Sequence, residues 1–454
     1  SECLVGSEMC IRDRYLRSCR AVAYRFRSYG RTIGRRFGND YKGSRRNIHQ
    51  LGDQQLTRGS YDLLRRIYDK IMKKFEFFLW NYMAADKYYA SAECLADEWL
   101  ELGITLGFSP YFEEGHDISR NFLSELIAAC EKRGIDLIIF DKRVFWLNYL
   151  AVGAEAYVAA VRAALKDFGG SRAVRGFYIG DEPEKDQFAP MGEALKIYKG
   201  LTDKVGFVNF SRNDALDRAF GIPRAYAAEL KAFAGYGLDY MANDRYSQLH
   251  AKDYVTGFAE SGIDKYFRDL NFFRNVAAEC ALPYIVSLSC VGHWMYRTPS
   301  EDDIRWQLNT AIAHGADGIQ WFFIHQHRFA DDYYSYPVDI YGNRSAVFGY
   351  IARQTRLTKD TILRELEGCT FSRVWHIGKN YGDTPLLGKN DAAYFVRADH
   401  GMNGIFSEFS GKNGKKYLVI NGDQKYPELF WIQGNDREKY HVWLPPGGAH
   451  IVRD

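Results

Sequence analysis

The sequence predicts an α/β fold, a (β/α)8 barrel followed by a small all-β sandwich. Three observations predict it. Short apolar strands alternate eight times with amphipathic helices between Phe75 and Leu366. The strands are continuous apolar runs, the pattern of a parallel sheet, and eight such units close a barrel. After Leu366 the texture changes to short alternating segments broken by Gly, Asn and Pro, as in an antiparallel sandwich. An open doubly wound sheet would also alternate, but no G-x-G-x-x-G follows the first strand.

The elements follow in order. FEFFLW is strand one, and SAECLADEWLELG is a helix closed by Gly103. ITLGFS and ISRNFLSELIAACEKRG form the second pair, IDLIIF and AEAYVAAVRAALKDFG the third, RGFYIG and PMGEALKIYKGLTD the fourth. VGFVNF with PRAYAAELKAFAG, and LDYMA with YFRDLNFFRNVAAECA, are the fifth and sixth. PYIVSLS with DDIRWQLNTAIAHG, and DGIQWFF with SAVFGYIARQTRLTKDTILREL, complete the eight. YFVRADH, GIFSEFS, KYLVING, LFWIQG and EKYHVWLPPGGAHIV supply the sandwich strands. The expected boundaries are a leader at 1–71, a barrel at 72–366 and a β domain at 367–454.

Residues 1–71 read differently. Of the 60 basic and 57 acidic residues, 16 and 7 fall there; the remaining 383 residues carry 44 and 50, a net charge of −6. The leader has no sustained periodicity, and Leu4 to Arg14, LVGSEMCIRDR, resembles a translated sequencing-library adaptor. Met72 is therefore expected to be the genuine start, with a basic nucleic-acid arm or a targeting peptide as the competing reading. Without the leader the eight cysteines fall to five, Cys94, Cys130, Cys280, Cys290 and Cys369, with no C-x-x-C spacing. Reduced thiols in a cytoplasmic protein are expected. No apolar run approaches the ~20 residues of a membrane span, and the acidic body argues against nucleic acid as a partner.

In such a barrel, functional groups lie just past the carboxyl ends of the strands. Strand one ends at Trp80 and Asn81, strand three at Asp141, and strand four at Asp181-Glu182-Pro183. Strand five ends at Asn209 with Arg212 beyond, and strand six at Asp244, Arg245 and Tyr246. Strand seven leads to His293 and Trp294, and strand eight to Trp321, His325 and His327. Polar groups and tryptophans at so many mouths suggest a polyhydroxylated ligand stacked on aromatic faces.

GFYIGDEP is the sharpest signal. A fourth strand ending in Asn/Asp-Glu-Pro resembles the barrel glycoside hydrolases, β-galactosidase-like enzymes included. The stretch RTPSEDDIRWQLNTAIAHGADGIQWFF is similar to their seventh helix and eighth strand. The resemblance implies that Glu182 is the general acid/base and that Trp321 floors the sugar site, with no cofactor and a glycoside or oligosaccharide as substrate. The chain departs from that family at strand seven, where PYIVSLSCVGHW offers no carboxylate for the usual nucleophile.

Asp244 and Asp141 are the candidates for the second carboxylate. A pair ~5–5.5 Å apart retains configuration, and one ~6.5–9.5 Å apart leaves room for water and inverts. Strands four and six are separated by one strand, so a wide Glu182–Asp244 pair is expected. The bland readings are ion pairs: Glu182 with Arg212 or Arg245, Asp244 with Arg245, and Asp141 with Lys142 or Arg143. Trp294 and Trp321 read as walls or core as readily as platforms, and Trp80 is expected to help shape the sugar site. His325-Gln-His327 invites a metal only if His293 and Asp141 join it, so no metal is expected. A sugar-binding protein that has lost its nucleophile is the main alternative to an enzyme.

Overall fold

The computed structural model describes residues 75–454 other than 86–87, 89, 116, 213–222, 251–258, 330–332, 402, 435–438 and 453–454. The leader reading of 1–71 lies outside the described residues. Eight strands close a parallel barrel: β1 (Glu76–Leu79), β2 (Leu106–Phe108), β3 (Asp136–Ile139), β4 (Val174–Asp181), β5 (Val205–Phe210), β6 (Met241–Asp244), β7 (Tyr284–Ser289) and β9 (Gly318–Phe322). Closure is made by β1 on β9, with Leu79 opposite Trp321. Between β7 and β9 a short strand β8 (Gly292–His293) pairs with β10 (Tyr333–Tyr334) in a separate two-stranded sheet. Among the described residues eight α-helices pack outside: α1 (Ala92–Glu101), α2 (Asp117–Arg133), α3 (Trp146–Phe168), α4 (Phe188–Leu201), α5 (Pro223–Ala234), α6 (Ala259–Glu279), α7 (Glu301–Ala313) and α8 (Ala346–Thr358).

Local signals explain the helix ends. Ser91 caps α1 by accepting from the Cys94 amide at 3.2 Å, and the helix stops at Gly103, whose φ of +76° suits the left-handed turn after a helix. Ser300 and Asp303 form a reciprocal capping box on α7.

Side chains of a strand alternate between its two faces, and this parity organises the barrel. Phe78, Trp80, Leu106, Phe108, Ile138, Tyr178, Phe207, Ala242 and Ile285 fill the interior. Phe77, Leu79, Leu137, Ile139, Phe177, Ile179, Val208, Met241, Val286, Ile319 and Trp321 face the helices. At the amino-terminal floor, Arg175 lies 2.5 Å from Asp136 and 3.2 Å from Glu76, and the Tyr240 hydroxyl donates to Glu76 at 3.0 Å.

Seven strands follow the barrel: β11 (Cys369–Ile377), β12 (Tyr394–Ala398), β13 (Gly404–Gly411), β14 (Gly414–Asn421), β15 (Glu428–Gly434), β16 (Tyr440–Leu444) and β17 (Ala449–Val452). They make a four-stranded sheet, β11-β13-β14-β17, and a three-stranded sheet, β12-β15-β16. Trp375, Phe406, Tyr417 and Val419 from one sheet meet Tyr394, Val396, Phe430 and Ile432 from the other in one core. The expected sandwich is present, with two additions. β11, CTFSRVWHI, escaped the reading because polar residues interrupt its alternation, and EKYHVWLPPGGAHIV is two strands parted by Pro and Gly.

The sandwich docks on α7. Trp306 Nε1 donates to the Gly422 carbonyl and Asn309 Nδ2 to the Gly447 carbonyl, each at 2.8 Å. A Cβ on Gly447 would stand 2.4 Å from the Trp306 backbone, so only glycine permits this approach. A buried polar line continues the seam. The Tyr381 amide donates to His376 Nδ1 at 3.0 Å, and His376 Nε2 lies 3.4 Å from His314 Nε2. His314 Nδ1 lies 3.1 Å from Asn271 Oδ1, and Asn271 Nδ2 donates to Asp383 at 2.7 Å.

Candidate active site

The fourth strand departs from parity just before its end. Its register with β5 shifts between Tyr178 and Gly180. Ile179 faces the helices, and a Cβ on Gly180 would strike Met191 and Trp146 on that same side. The extra residue is a bulge that returns Asp181 to the interior face, a use of bulges common beside functional sites. Glu182 then adopts a left-handed backbone, φ +38°, while its amide donates to the Asn209 carbonyl at 2.9 Å. A non-glycine residue held there carries strain that the surroundings must overrule.

Strands β4, β5 and β6 bring three carboxylates together. Asn209 donates from Nδ2 to Asp181 at 3.0 Å and to Asp244 at 3.3 Å, while its own Oδ1 is buried without a partner among the described residues. The Glu182 carboxyl hydrogen-bonds the Asp244 carboxylate. The charge on Asp244, together with burial and this hydrogen bond, holds the Glu182 carboxyl far above the usual carboxylate range. Burial raises Asp181 as well, with the Asn209 bond opposing and the Asp244 charge adding to it. Glu182 is exposed as a residue, while its carboxyl is sheltered against Asp244. Glu182 and Asp244 come closer than strand spacing alone suggests, with their carboxyls within hydrogen-bonding reach of each other.

Arg245 is the cation that acts on Glu182, but its Nε is fastened to Asp269 at 2.6 Å. Arg212 sits 3.3 Å from the same carboxylate with its guanidinium over the Phe272 ring. Arg212 thus anchors α6. Tyr246 stacks on Phe322 at 5.3 Å and meets His293 edge-on at 5.6 Å. His293 in turn stacks on Tyr333 at 5.2 Å. His327 lies 5.5 Å from Tyr82, and Trp294 is 64% exposed beside His293 with a φ of +46°. Trp80 lies inside, stacked on Phe108 at 5.1 Å and edge-on to Tyr178.

Four expected site residues lie elsewhere. Trp321 is fully buried against the helices, because parity sends Gln320 and Phe322 inward and Trp321 outward. It cannot floor a sugar site. Asp141 has the outward parity too, and Arg143 grips it at 2.7 Å. Asn81 bonds Tyr88, the Phe108 carbonyl and the Met83 amide, which locks the loop after β1. His325 is fully buried and accepts from Trp99 Nε1 of α1 at 3.2 Å; burial lowers its pKa to about 3. Among the described residues no group of three or more His, Cys, Asp or Glu could hold a metal ion.

Sequence reasoning missed Tyr82 and Tyr178. Burial and the charges of Asp181 and Glu182 push both phenols well above their ordinary range. Tyr178 also hydrogen-bonds Asp181. Its inward parity two residues before the bulge was the available signal.

No protein-family model matches the sequence, and no curated protein matches it. Several of the similar solved structures are glycoside hydrolases. The fold is similar to that of a β-galactosidase from the Antarctic haloarchaeon Halorubrum lacusprofundi, at 14% identity over 62% of this chain with a TM-score of 0.45. It is similar to a β-glucuronidase from Ruminococcus gnavus, at 10% identity over 63% of this chain with a TM-score of 0.41. The chain spans 57% of the first enzyme and 48% of the second. A glycoside hydrolase family 5 structure from Bacteroides vulgatus matches 84% of this chain and 85% of its own length, at 10% identity and a TM-score of 0.49. Among the described residues no helix is long and apolar enough to cross a membrane.

Proposed function

We propose that the chain is a glycoside hydrolase acting on an oligosaccharide or glycoside, with Glu182 as general acid/base and Asp244 as its partner. The observation that carries this is the Glu182–Asp244 pair, two carboxyls within hydrogen-bonding reach at the carboxyl ends of β4 and β6, with the Glu182 carboxyl held well above its ordinary range. A carboxylic acid that stays protonated at neutral pH is what departure of an alkoxide requires.

A scissile oxygen entering between the two groups would take over the proton of Glu182. Asp244 would attack the anomeric carbon as the bond to the leaving oxygen breaks, and the leaving group would depart as an alcohol. Water, deprotonated by the Glu182 carboxylate, would then displace Asp244 and release the sugar. The pair must part for a sugar to enter, and an opened separation of about 5–5.5 Å would give retention, one of about 6.5–9.5 Å inversion. The orphaned Asn209 Oδ1 is suited to accept a sugar hydroxyl, and Trp80, Tyr246, His293, Trp294 and His327 would shape the surrounding site.

The test is turnover of aryl glycosides by the wild type and Glu182→Gln, with the first-formed anomer read by NMR. Loss of turnover with sugar binding kept supports the proposal; unchanged turnover sinks it. One feature favours a second reading. β7 ends at Ser289, which carries no carboxylate, so a sugar-binding protein without hydrolysis also fits. That reading predicts no turnover by the wild type on any glycoside.

A further inference from the structure

A cavity of about 460 Å³ opens between α6 and the sandwich, lined by Asn271, Arg274, Asn275, Ser372, Asp383 and Asn390 among others. It shares no residue with the barrel mouth. Arg274 is the unusual member. Its guanidinium lies 4.8 Å from the Phe371 ring, half-buried, and among the described residues no acceptor or carboxylate pairs with it. The other sheltered arginines are all matched: Arg143, Arg175, Arg212, Arg245 and Arg297 each have a carboxylate within 3.3 Å. Accordingly burial lowers the proton affinity of Arg274, where it is raised in Arg143, Arg175, Arg245 and Arg297.

The lining carboxylates do not relieve it. Asp383 acts on Arg274 only at a distance, and its Oδ1 is taken by Asn271 at 2.7 Å. Asp391 is turned to the Gly388 amide at 2.6 Å. Arg274 and Asp383 therefore face the same space without pairing across it. Arg373, exposed, adds a second cation to the lining, and the remainder is amide and hydroxyl with Val374, Trp375 and Pro385 as its apolar members. Such a space suits a molecule with a planar anion at one end and hydroxyls along its body.

We propose that this cavity is a second binding site, specific for a sugar acid of the uronate class, with Arg274 taking the carboxylate. Asn275, Ser372, Asn390 and the second oxygen of Asp383 take the hydroxyls. The site stands whether or not the mouth hydrolyses a glycoside.

Calorimetric titration of the full chain with free D-glucuronate at neutral pH and low salt tests it. One site should titrate, it should persist in Glu182→Gln, and Arg274→Gln should weaken it at least tenfold. Arg274→Lys keeps the charge but not the fork and should weaken it several-fold, which decides the matter if Arg274→Gln does not fold. D-glucose, glycine and inorganic phosphate should each bind at least tenfold more weakly than glucuronate. The proposal falls if glucuronate does not bind, if the arginine variants bind it unchanged, or if Glu182→Gln abolishes binding. It falls equally if any of the three control ligands matches glucuronate.

Discussion

The two ends of the barrel handle charge in opposite ways. At the floor, two carboxylates, Glu76 and Asp136, share one arginine, and a tyrosine completes the set. At the mouth, two carboxylates share one amide and a third, Glu182, leans on Asp244, while the nearby Arg245 is already fastened to Asp269. Identical chemistry is neutralised at one end and left in conflict at the other. Stability resides where the charges match, and reactivity is expected where they do not.

Breaking the mouth should cost activity without stability. Glu182→Gln is expected to lower turnover of an aryl glycoside roughly 10³-fold, the range of a lost general acid, while thermal unfolding holds or rises. Asp244→Asn should likewise abolish turnover and raise the midpoint, because it removes the charge that crowds Glu182. A fall in the midpoint for both variants would show that the cluster is structural.

Breaking the floor should do the reverse. Arg175→Met leaves Glu76 and Asp136 together without their cation, at a cost of about 2 kcal/mol for this partly exposed set. Denaturant unfolding measures the loss, and kcat should change little. A large drop in kcat with unchanged stability would contradict the comparison.

pH sharpens it further. Glu182 has a raised folded pKa, so the folded state binds more protons there than the unfolded chain, and stability falls as pH climbs above the ordinary value of 4.5. His376, whose pKa burial lowers to about 4, acts with the other sign: stability falls as pH drops from 6.5 towards 4, by on the order of 2 kcal/mol. His314 is lowered by burial too and adds to that acid arm. Unfolding free energies across pH 4 to 9 should show the alkaline decline flattened by Glu182→Gln and the acid decline flattened by His376→Gln.

The smallest expected effects separate two tryptophans. Trp294→Ala, at the exposed rim, should raise KM several-fold with kcat kept. Trp321→Phe, behind the strand, should leave both constants nearly unchanged and lower stability by about 1–2 kcal/mol. An altered KM for Trp321→Phe would restore it to the site.

The barrel was legible because eight apolar strands and eight amphipathic helices leave their periods in the sequence, and DEP at the end of β4 marked the mouth. What failed was the side of the strand. Trp321, Asp141 and Asn81 sit at strand ends, as expected, but alternation counted from Ile319, Leu137 and Phe77 turns them outward. His325 was misread for a different reason, since its partner Trp99 lies more than two hundred residues away. The contact between Glu182 and Asp244 could not be read from strand spacing, which gives the distance between backbones and not the direction of side chains.

The bulge in β4 gives the site an uncommon kind of fragility. Asp181, three positions after the inward Tyr178, faces inward only because the bulge takes one residue out of the alternation. Straightening the bulge, with Gly180 drawn into the regular ladder, would preserve every chemical group of the site and still turn Asp181 into the helical layer. What the mouth depends on here is the path of one short piece of backbone as much as the identity of its residues.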